Sequence, residues 1–305
     1  MDDPRAPHPA LRVPVPEDGA GSGPWSTVRW TPDGVPILMA DPEAYLAAVG
    51  DDAVRPLDAV SFEGLTYLAR YLPTALEPGA ALRIAVRDAL AWHAPLGGAL
   101  GVEFGCSVGA DLGSLRAVCD AVIGVDGSVV GARAARALCA GEGVPRLVRV
   151  EGRSFASAAP VVQAPLDGVT VVVGNALDPP VHAGCADVVM AVNLLDTVSE
   201  PVNLLGQLDA VLRAGGLMLL ASPFSWQDGV TAPEEQLGGG TVPALAALGS
   251  AEAVLAILRG ETPLLPHLAY EILETIEDVP WSLRDHARCA FHYSSWLVAA
   301  RKHTS

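Results

Sequence analysis

The sequence has few positive charges, few aromatic side chains and a single lysine, Lys302. Its 19 basic residues stand against 35 acidic ones, which gives a formal net charge of −16. Such a surface repels a phosphate backbone, so we expect no nucleic-acid partner. Aromatic residues make up only 5% of a chain that is 50% hydrophobic, so the core must consist mainly of aliphatic side chains. This hydrophobic share excludes a wholly disordered chain.

Cysteines are also few, and their spacing argues against cross-links. The five are Cys106, Cys119, Cys139, Cys185 and Cys289, an odd number without a Cys-x-x-Cys pair. They predict buried thiols in a reducing compartment, without a disulfide framework or a metal site. The amino terminus lacks the features of a signal peptide, and no apolar run approaches the ~18 residues of a membrane helix. We therefore expect a cytoplasmic protein without a membrane partner.

Composition and hydrophobic periodicity divide the chain into three parts. Residues 1–24 are rich in proline and glycine and predict a flexible leader. Residues 25–98 predict short helices that form an amino-terminal cap. In residues 99–305, short apolar runs alternate with helical segments, which indicates an α/β, doubly wound, mostly parallel sheet of seven strands. Within this part the alternation breaks over residues 222–267, and we expect a lid or substrate-facing insertion there.

Individual elements follow from capping and breaking residues. Asp41 predicts the start of one helix, and a second helix from Phe62 should end before Pro73. Ser250 predicts a helix cap in the insertion, with Gly260 just past the end of that helix. The predicted strands are 99–104, 121–125, 169–173, 186–192 and 216–221, with two more within 271–300. The predicted helices between them are 111–118, 128–140 and 201–212.

A glycine-rich turn follows the first predicted strand of the sheet. It consists of Gly105, Cys106, Ser107, Val108 and Gly109, and it begins two residues after Glu103. Asp126 ends the next strand, about 20 positions later, where an acidic side chain can accept hydrogen bonds from two ribose hydroxyls. Glycines at the turn let a ligand approach the backbone. The pattern predicts a nucleoside-binding crevice.

Three classes of enzyme are candidates for this crevice. A nicotinamide enzyme needs Gly-x-Gly-x-x-Gly, but Ser107 and Ala110 occupy two of the three glycine positions. A serine hydrolase fits Gly-x-Ser-x-Gly with Ser107 as nucleophile, although too few strands precede the turn. Its other triad members would come from Asp187, Asp196, His267, His286 and His292. A methyltransferase that uses S-adenosylmethionine also explains Glu103, whose carboxylate would hold the turn and the cofactor's amino group.

Polar residues at the ends of the next two strands complete the predicted site. Asn175 and Ala176 follow the third strand, where they would bind the adenine ring. Asn193 and Asp196 follow the fourth strand, where they should face the methyl group and its acceptor. The residues predicted to bind the cofactor are Glu103, Gly105, Cys106, Ser107, Gly109, Asp126, Gly127, Ser128, Asn175, Ala176, Asn193 and Leu194.

Seven short segments occur in the order seen in mercaptohistidine N-methyltransferases of the ovothiol pathway, and the chain resembles that family over residues 99–300. They are 105–109, 122–128, 193–196, 215–216, 222–226, 237–239 and 280–284. The resemblance implies a Rossmann-like class I methyltransferase fold, S-adenosylmethionine as cofactor and methylation of a nitrogen in a small molecule or peptide. A histidine derivative is the acceptor that it suggests.

For an imidazole acceptor, Asn193 would orient the ring and Asp196 would bind its other N–H, so these two are the predicted catalytic residues. We predict that the acceptor is bound by Phe224, Trp226, Tyr270, Arg284 and Arg288, where the rings form walls and the arginines bind a carboxylate. A scaffold protein of the same fold that binds the nucleoside without turnover is the alternative from another functional class.

Overall fold

A computed structural model of the chain describes residues 8–14, 25–75, 77, 79–240 and 242–304. Its strands are β1 (Arg29–Trp30), β2 (Pro36–Leu38), β3 (Gly98–Phe104), β4 (Cys119–Asp126), β5 (Val144–Glu151), β6 (Ser154–Val161), β7 (Val169–Gly174), β8 (Ala186–Val192), β9 (Leu212–Ser222), β10 (Tyr270–His286) and β11 (Cys289–Lys302). Its α-helices are α1 (Pro42–Val49), α2 (Phe62–Ala75), α3 (Ala81–His93), α4 (Leu112–Arg116), α5 (Val129–Cys139), α6 (Pro201–Val211) and α7 (Ser250–Leu258).

In the described part of the chain, nine strands form one sheet in the order β1-β2-β7-β4-β3-β8-β9-β11-β10. The strands from β2 to β9 in this order are parallel, and β11 and β10 add an antiparallel edge. The seven strands from β7 to β10 form the predicted α/β, doubly wound sheet, which is confirmed. The strands β1 and β2 extend it at the opposite edge.

The parallel strands are covered on both faces, as their continuous apolar runs predict. Along β8, Val188 and Met190 pack into one hydrophobic cluster, and Val189 and Ala191 pack into the other. This division follows from the alternation of side chains along a strand. The helices α2 to α5 lie on the first face, and α6 and α7 lie on the second.

The amino-terminal residues differ from the predicted leader and cap in three ways. Strand β2 pairs in parallel with β7, with Ile37 opposite Val173, so the segment belongs to the sheet. Helix α2 continues through Pro73 to Ala75, so the predicted end before Pro73 was wrong. Leu11 is buried within the predicted leader, whose residues 1–7 and 15–24 lie outside the described part. As predicted, Asp41 caps α1.

The insertion at residues 222–267 mostly packs onto the sheet. Leu237, Leu245 and Ile257 are fully buried in the same cluster as α6. Helix α7 begins at Ser250, whose hydroxyl donates to the Leu237 carbonyl at 2.5 Å, so it does not act as the predicted cap. Gly260 follows the helix in a left-handed conformation, as predicted. Among the described residues of the insertion, those that line the candidate site are Pro223, Ser225 and Gln227, all near its start.

Candidate functional site

A cavity of about 600 Å³ opens at the carboxyl ends of β3, β4, β7 and β8. The chain continues from β3 to β4 on one side, and β8 pairs on the other side of β3. Ligands bind at such a switch in strand order, and the volume lies in the ~300–1,000 Å³ range of small-molecule sites. Of the predicted cofactor residues, all but Gly109 line the cavity.

The glycine-rich turn needs its glycines for conformation and for space. Gly105 has a φ of +72°, and a Cβ added there would lie 2.9 Å from Leu194 Cδ1. Gly109 has a φ of +79° and packs against α5 through Ala135. Ser107 also takes a left-handed φ of +49°, and its backbone N–H donates to Asp126 Oδ2 at 2.7 Å. The turn thus presents its backbone to the cavity.

Asp126 joins the two loops that face the cavity. Its Oδ1 accepts a hydrogen bond from the Ser128 backbone N–H at 2.7 Å, and its side chain is 8% exposed. Burial raises the pKa of Asp126, and the hydrogen bonds from Ser128 and Ser107 lower it. Each carboxylate oxygen retains a further lone pair, so two ribose hydroxyls can still be bound. The geometry therefore fits the predicted ribose contact.

Glu103 lies next to the turn with an unsatisfied oxygen. Its side chain is 2% exposed, and Oε2 has no hydrogen-bond partner among the described residues. Burial raises the pKa of Glu103 to about 8, the nearby Arg83 guanidinium lowers it, and Asp126 raises it. Arg83 itself forms an ion pair with Asp111. A cationic amino group would satisfy this carboxylate, so the residues present fit the methionine end of S-adenosylmethionine.

Two other residues predicted to bind the cofactor are Cys106, in the glycine-rich turn, and Asn175, after β7. Cys106 is buried, and burial raises the pKa of its thiol well above the ordinary value, so the thiol stays neutral. Asn175 follows β7 and accepts a hydrogen bond through Oδ1 from the Leu177 N–H at 2.9 Å. That bond leaves the amide nitrogen of Asn175 as a donor beside Ala176 at the cavity wall.

The two predicted catalytic residues both line the cavity. Asn193 has a φ of +55°, and its Oδ1 accepts a hydrogen bond from Ser295 Oγ at 2.9 Å. Asp196 is 2% exposed and accepts from Ser222 Oγ at 2.8 Å and from the Ser225 N–H at 2.9 Å. Asp196 therefore anchors the loop after β9 and also presents a carboxylate to the cavity.

The aromatic residues predicted to bind the acceptor lie elsewhere. Phe224 packs against Trp226 with ring centroids 6.2 Å apart, and neither residue lines the cavity. Tyr270 is buried on the far part of β10, and its hydroxyl donates to Asp209 at 2.7 Å. The ring contacts of Phe224 also include Trp296 at 5.8 Å. Phe224 and Trp226 pack against the core because the insertion folds back onto the sheet, and Tyr270 is itself part of that core.

The two predicted arginines are exposed on the hairpin of β10 and β11, outside the cavity lining. Arg284 follows Leu283 on β10, and Arg288 lies in the turn, where its N–H donates to His286 Nδ1 at 3.2 Å. Alternate side chains of a strand lie on opposite faces, so Trp281 and Leu283 share one face of β10 while Arg284 takes the other. Trp281 and Leu283 both line the cavity, and this alternation is the feature of the sequence that could have identified them instead of Arg284.

The contacts of Ser107 do not form a hydrolase triad. Its Oγ lies 2.7 Å from the Tyr67 hydroxyl. Asp187 lies at the opposite end of the sheet, where it accepts hydrogen bonds from the Ala99 and Leu100 N–H groups and pairs with Arg213. The candidate histidines do not line the cavity. Ser107 therefore lacks the adjacent base that would activate a serine nucleophile.

One group of potential metal ligands occurs in the described part of the chain, at the tip of the β10–β11 hairpin. Asp285, His286 and Cys289 offer ligand atoms within 4.8 Å of one another. Asp285 already forms ion pairs with Arg70 and Arg149, and two guanidinium groups oppose the approach of a cation. The group lies outside the cavity.

Residues 102–220 match a family model described as a methyltransferase domain. Similar solved structures include YcgJ of Bacillus subtilis (13% identity; 73% of this chain and 100% of that chain; TM-score 0.48). A Thermotoga maritima protein, described as a SAM-dependent methyltransferase and possible histamine N-methyltransferase, is 17% identical over 74% of this chain and 90% of its own (TM-score 0.40). A SAM-dependent methyltransferase of Aquifex aeolicus is 14% identical over 71% and 88% (TM-score 0.42). No curated protein matches the sequence.

The matched residues run from β3 to β9 and contain the glycine-rich turn, Asp126 and the end of β8. Together with the sheet order, they give this region the Rossmann-like fold of a methyltransferase domain. The cofactor of such a domain is S-adenosylmethionine, in agreement with the prediction. No helix in the described residues is long and apolar enough to cross a membrane.

Proposed function

We propose that the chain transfers the methyl group of S-adenosylmethionine to a nitrogen atom of a small molecule or peptide, with an imidazole of a histidine derivative as the favoured acceptor. The charge of the cavity carries this proposal. Its charged lining in the described residues consists of Arg83 and four acids, Glu103, Asp111, Asp126 and Asp196. Such a lining favours a neutral or cationic acceptor over an anionic one.

Two features of the sequence support the same acceptor. The segment from Asn193 to Asp196 lies at the cavity, and it is one of the segments that resemble mercaptohistidine N-methyltransferases. The net charge of −16 disfavours nucleic acid as the acceptor. A free histidine derivative or a histidine-containing peptide agrees with both the resemblance and the net charge.

When bound, S-adenosylmethionine supplies a methyl group on a positively charged sulfur. The acceptor nitrogen forms the new N–C bond with its lone pair, and the electrons of the broken S–C bond stay on sulfur. A neutral imidazole already carries the required lone pair near pH 7. The main task of the protein is therefore to align the acceptor with the methyl group.

Asn193 and Asp196 are suited to this alignment. Because Asn193 Oδ1 accepts from Ser295, its amide nitrogen remains as a donor toward the acceptor. Each oxygen of Asp196 accepts one bond from the protein and retains a lone pair that can accept from the N–H of the ring nitrogen that is not methylated. Its buried carboxylate also stabilises the positive charge that develops on the ring.

The test is a methyl-transfer assay with S-adenosylmethionine and three classes of acceptor: histidine, thiol-histidines and histidine-containing peptides. The methylated product is identified by mass spectrometry. We expect Asn193→Ala and Asp196→Asn to lower kcat by about 100-fold, in the range for a positioned polar group. Asn203→Ala on α6, a half-buried position outside the cavity lining, is the control and should act like the wild type. Transfer only to oxygen or carbon acceptors would refute the proposal, as would cofactor binding without transfer to any acceptor.

A further inference from the structure

Four aromatic rings line the part of the cavity between α2 and the β10–β11 hairpin: Tyr67, Tyr71, Trp281 and Tyr293. We call this group the aromatic chamber. We propose that the aromatic chamber is the acceptor subsite and that it takes a planar, nitrogen-containing ring that is neutral or cationic. This inference rests on the proposed function and adds the residues that select the acceptor.

The aromatic chamber is built from two packed pairs. Trp281 and Tyr293 are opposite each other in the register of β10 and β11, with ring centroids 4.6 Å apart and an interplanar angle of 18°. Tyr67 and Tyr71 are one helical turn apart on α2, and their centroids are also 4.6 Å apart. Arg70 donates through Nε to Asp285 Oδ1 at 2.6 Å, which fastens α2 to the hairpin.

The position of Tyr71 connects the aromatic chamber to the reacting groups. Tyr71 lines the same cavity as the ribose-binding carboxylate, Asp126, and the carboxylate after β8, Asp196. Burial raises the pKa of Tyr71, Arg70 lowers it, and the two carboxylates raise it further. Its hydroxyl stays protonated and can donate a hydrogen bond to the acceptor.

Two further observations define the chemistry of the ligand. The Nε1 of Trp281 is buried without a hydrogen-bond partner among the described residues. In the complex with S-adenosylhomocysteine, which carries no methyl group to transfer, the in-plane lone pair of a ring nitrogen is free to satisfy this donor, while the ring stacks on the aromatic faces. The single lining cation, Arg83, is already paired with Asp111, so an anionic ring would find no free cation in the described lining. The face of an aromatic ring favours a cation.

The experiment measures binding of two planar probes to the protein saturated with S-adenosylhomocysteine. The probes are 4-methylimidazole, which has two ring nitrogens, and benzoate, which is anionic. Calorimetric titration should show that 4-methylimidazole binds at least about tenfold more tightly than benzoate. Equal or tighter binding of benzoate would overturn the inference.

Variants assign the binding to the aromatic chamber. Tyr293→Leu removes one stacked ring and should weaken 4-methylimidazole about tenfold, which corresponds to ~1.4 kcal/mol. Trp281→Phe keeps the ring and removes the donor, so we expect a loss of about fivefold. The control is Trp92→Leu on α3, where the side chain is 82% exposed and outside the cavity. Unchanged affinity in both chamber variants would overturn the inference.

Additional measurements separate this inference from the proposed function. Circular dichroism and S-adenosylhomocysteine titration on each variant establish folding and cofactor binding. If the wild type binds 4-methylimidazole through the aromatic chamber but methylates no nitrogen acceptor, the aromatic chamber stands as a ring-binding site and the proposed function fails. If Tyr293→Leu methylates a nitrogen acceptor with unchanged KM and kcat, the proposed function stands and the assignment of the aromatic chamber fails.

Discussion

Replacing Glu103 with glutamine should make the cofactor-free protein more stable, most of all at alkaline pH. Glu103 ionises at its usual pKa of 4.5 in the unfolded chain, whereas burial raises its pKa to about 8 in the folded protein. Between these two values the folded state holds one more proton than the unfolded state. The stability of the wild type therefore falls as pH rises through this window, and Glu103→Gln removes that loss.

The size of the effect follows from the two pKa values. With one proton involved, the stability difference between Glu103→Gln and the wild type should grow by up to ~1.4 kcal/mol per pH unit. Over the whole window the maximum is ~5 kcal/mol, because the two pKa values differ by about 3.5. Only a few kilocalories per mole separate folded from unfolded states, so this is a large effect.

Urea unfolding at pH 6, 7 and 8 without cofactor measures the free energy of unfolding for both proteins. Asp126 also has a raised pKa, but it is present in both proteins, so only its coupling to Glu103 enters the difference. Glu261→Gln, at an exposed position after α7, is the matched control and should give a difference that does not change with pH. A flat difference for Glu103→Gln, or one that shrinks as pH rises, would refute the assigned environment of Glu103.

Two further predictions concern cofactor binding and the conformation of the glycine-rich turn. Asp126→Ala removes the predicted ribose acceptor and should weaken S-adenosylhomocysteine at least about 100-fold in calorimetry, because two hydrogen bonds to a charged group are lost, while exposed Asp58→Ala should bind normally. Retained affinity in folded Asp126→Ala would contradict the ribose contact. Gly105→Ala should lower the free energy of unfolding by ~1–3 kcal/mol, because its φ is +72° and the new Cβ would lie 2.9 Å from Leu194. Gly113→Ala is the control, with its nearest neighbour at 3.7 Å, and equal stability of both variants would refute the strain argument.

The cofactor side of the cavity was largely predictable because each of its elements is local in sequence. An apolar run that ends in Glu103 and a glycine turn predicts a strand end, and Asp126 repeats the pattern one strand later. Parallel strands bring their carboxyl ends to one edge of the sheet. The residues of that edge could therefore be assigned without knowing how the helices pack.

The acceptor side could not be predicted in this way. Tyr71 and Trp281 come from distant parts of the chain and meet only through the packing of α2 on the hairpin. The predicted residues Phe224 and Tyr270 are aromatic and near strand ends, but composition does not reveal which rings the core buries. The hairpin of β5 and β6 was missed for a related reason, because its strands are only partly buried and lack an apolar run.

The amino-terminal segment also acquires a role that its sequence did not indicate. The Tyr45 hydroxyl on α1 donates to the Gly127 carbonyl at 2.9 Å, and Tyr67 bonds Ser107 in the glycine-rich turn. Arg133 on α5, 4% exposed, donates to Asp33 at 2.9 Å and so ties the same segment to the sheet. Two phenols therefore fix the two loops that face the cofactor. A cap that moved freely would break both bonds, so the described part of residues 25–98 forms one wall of the cavity, through Met39, Tyr67, Tyr71, Thr74 and Arg83.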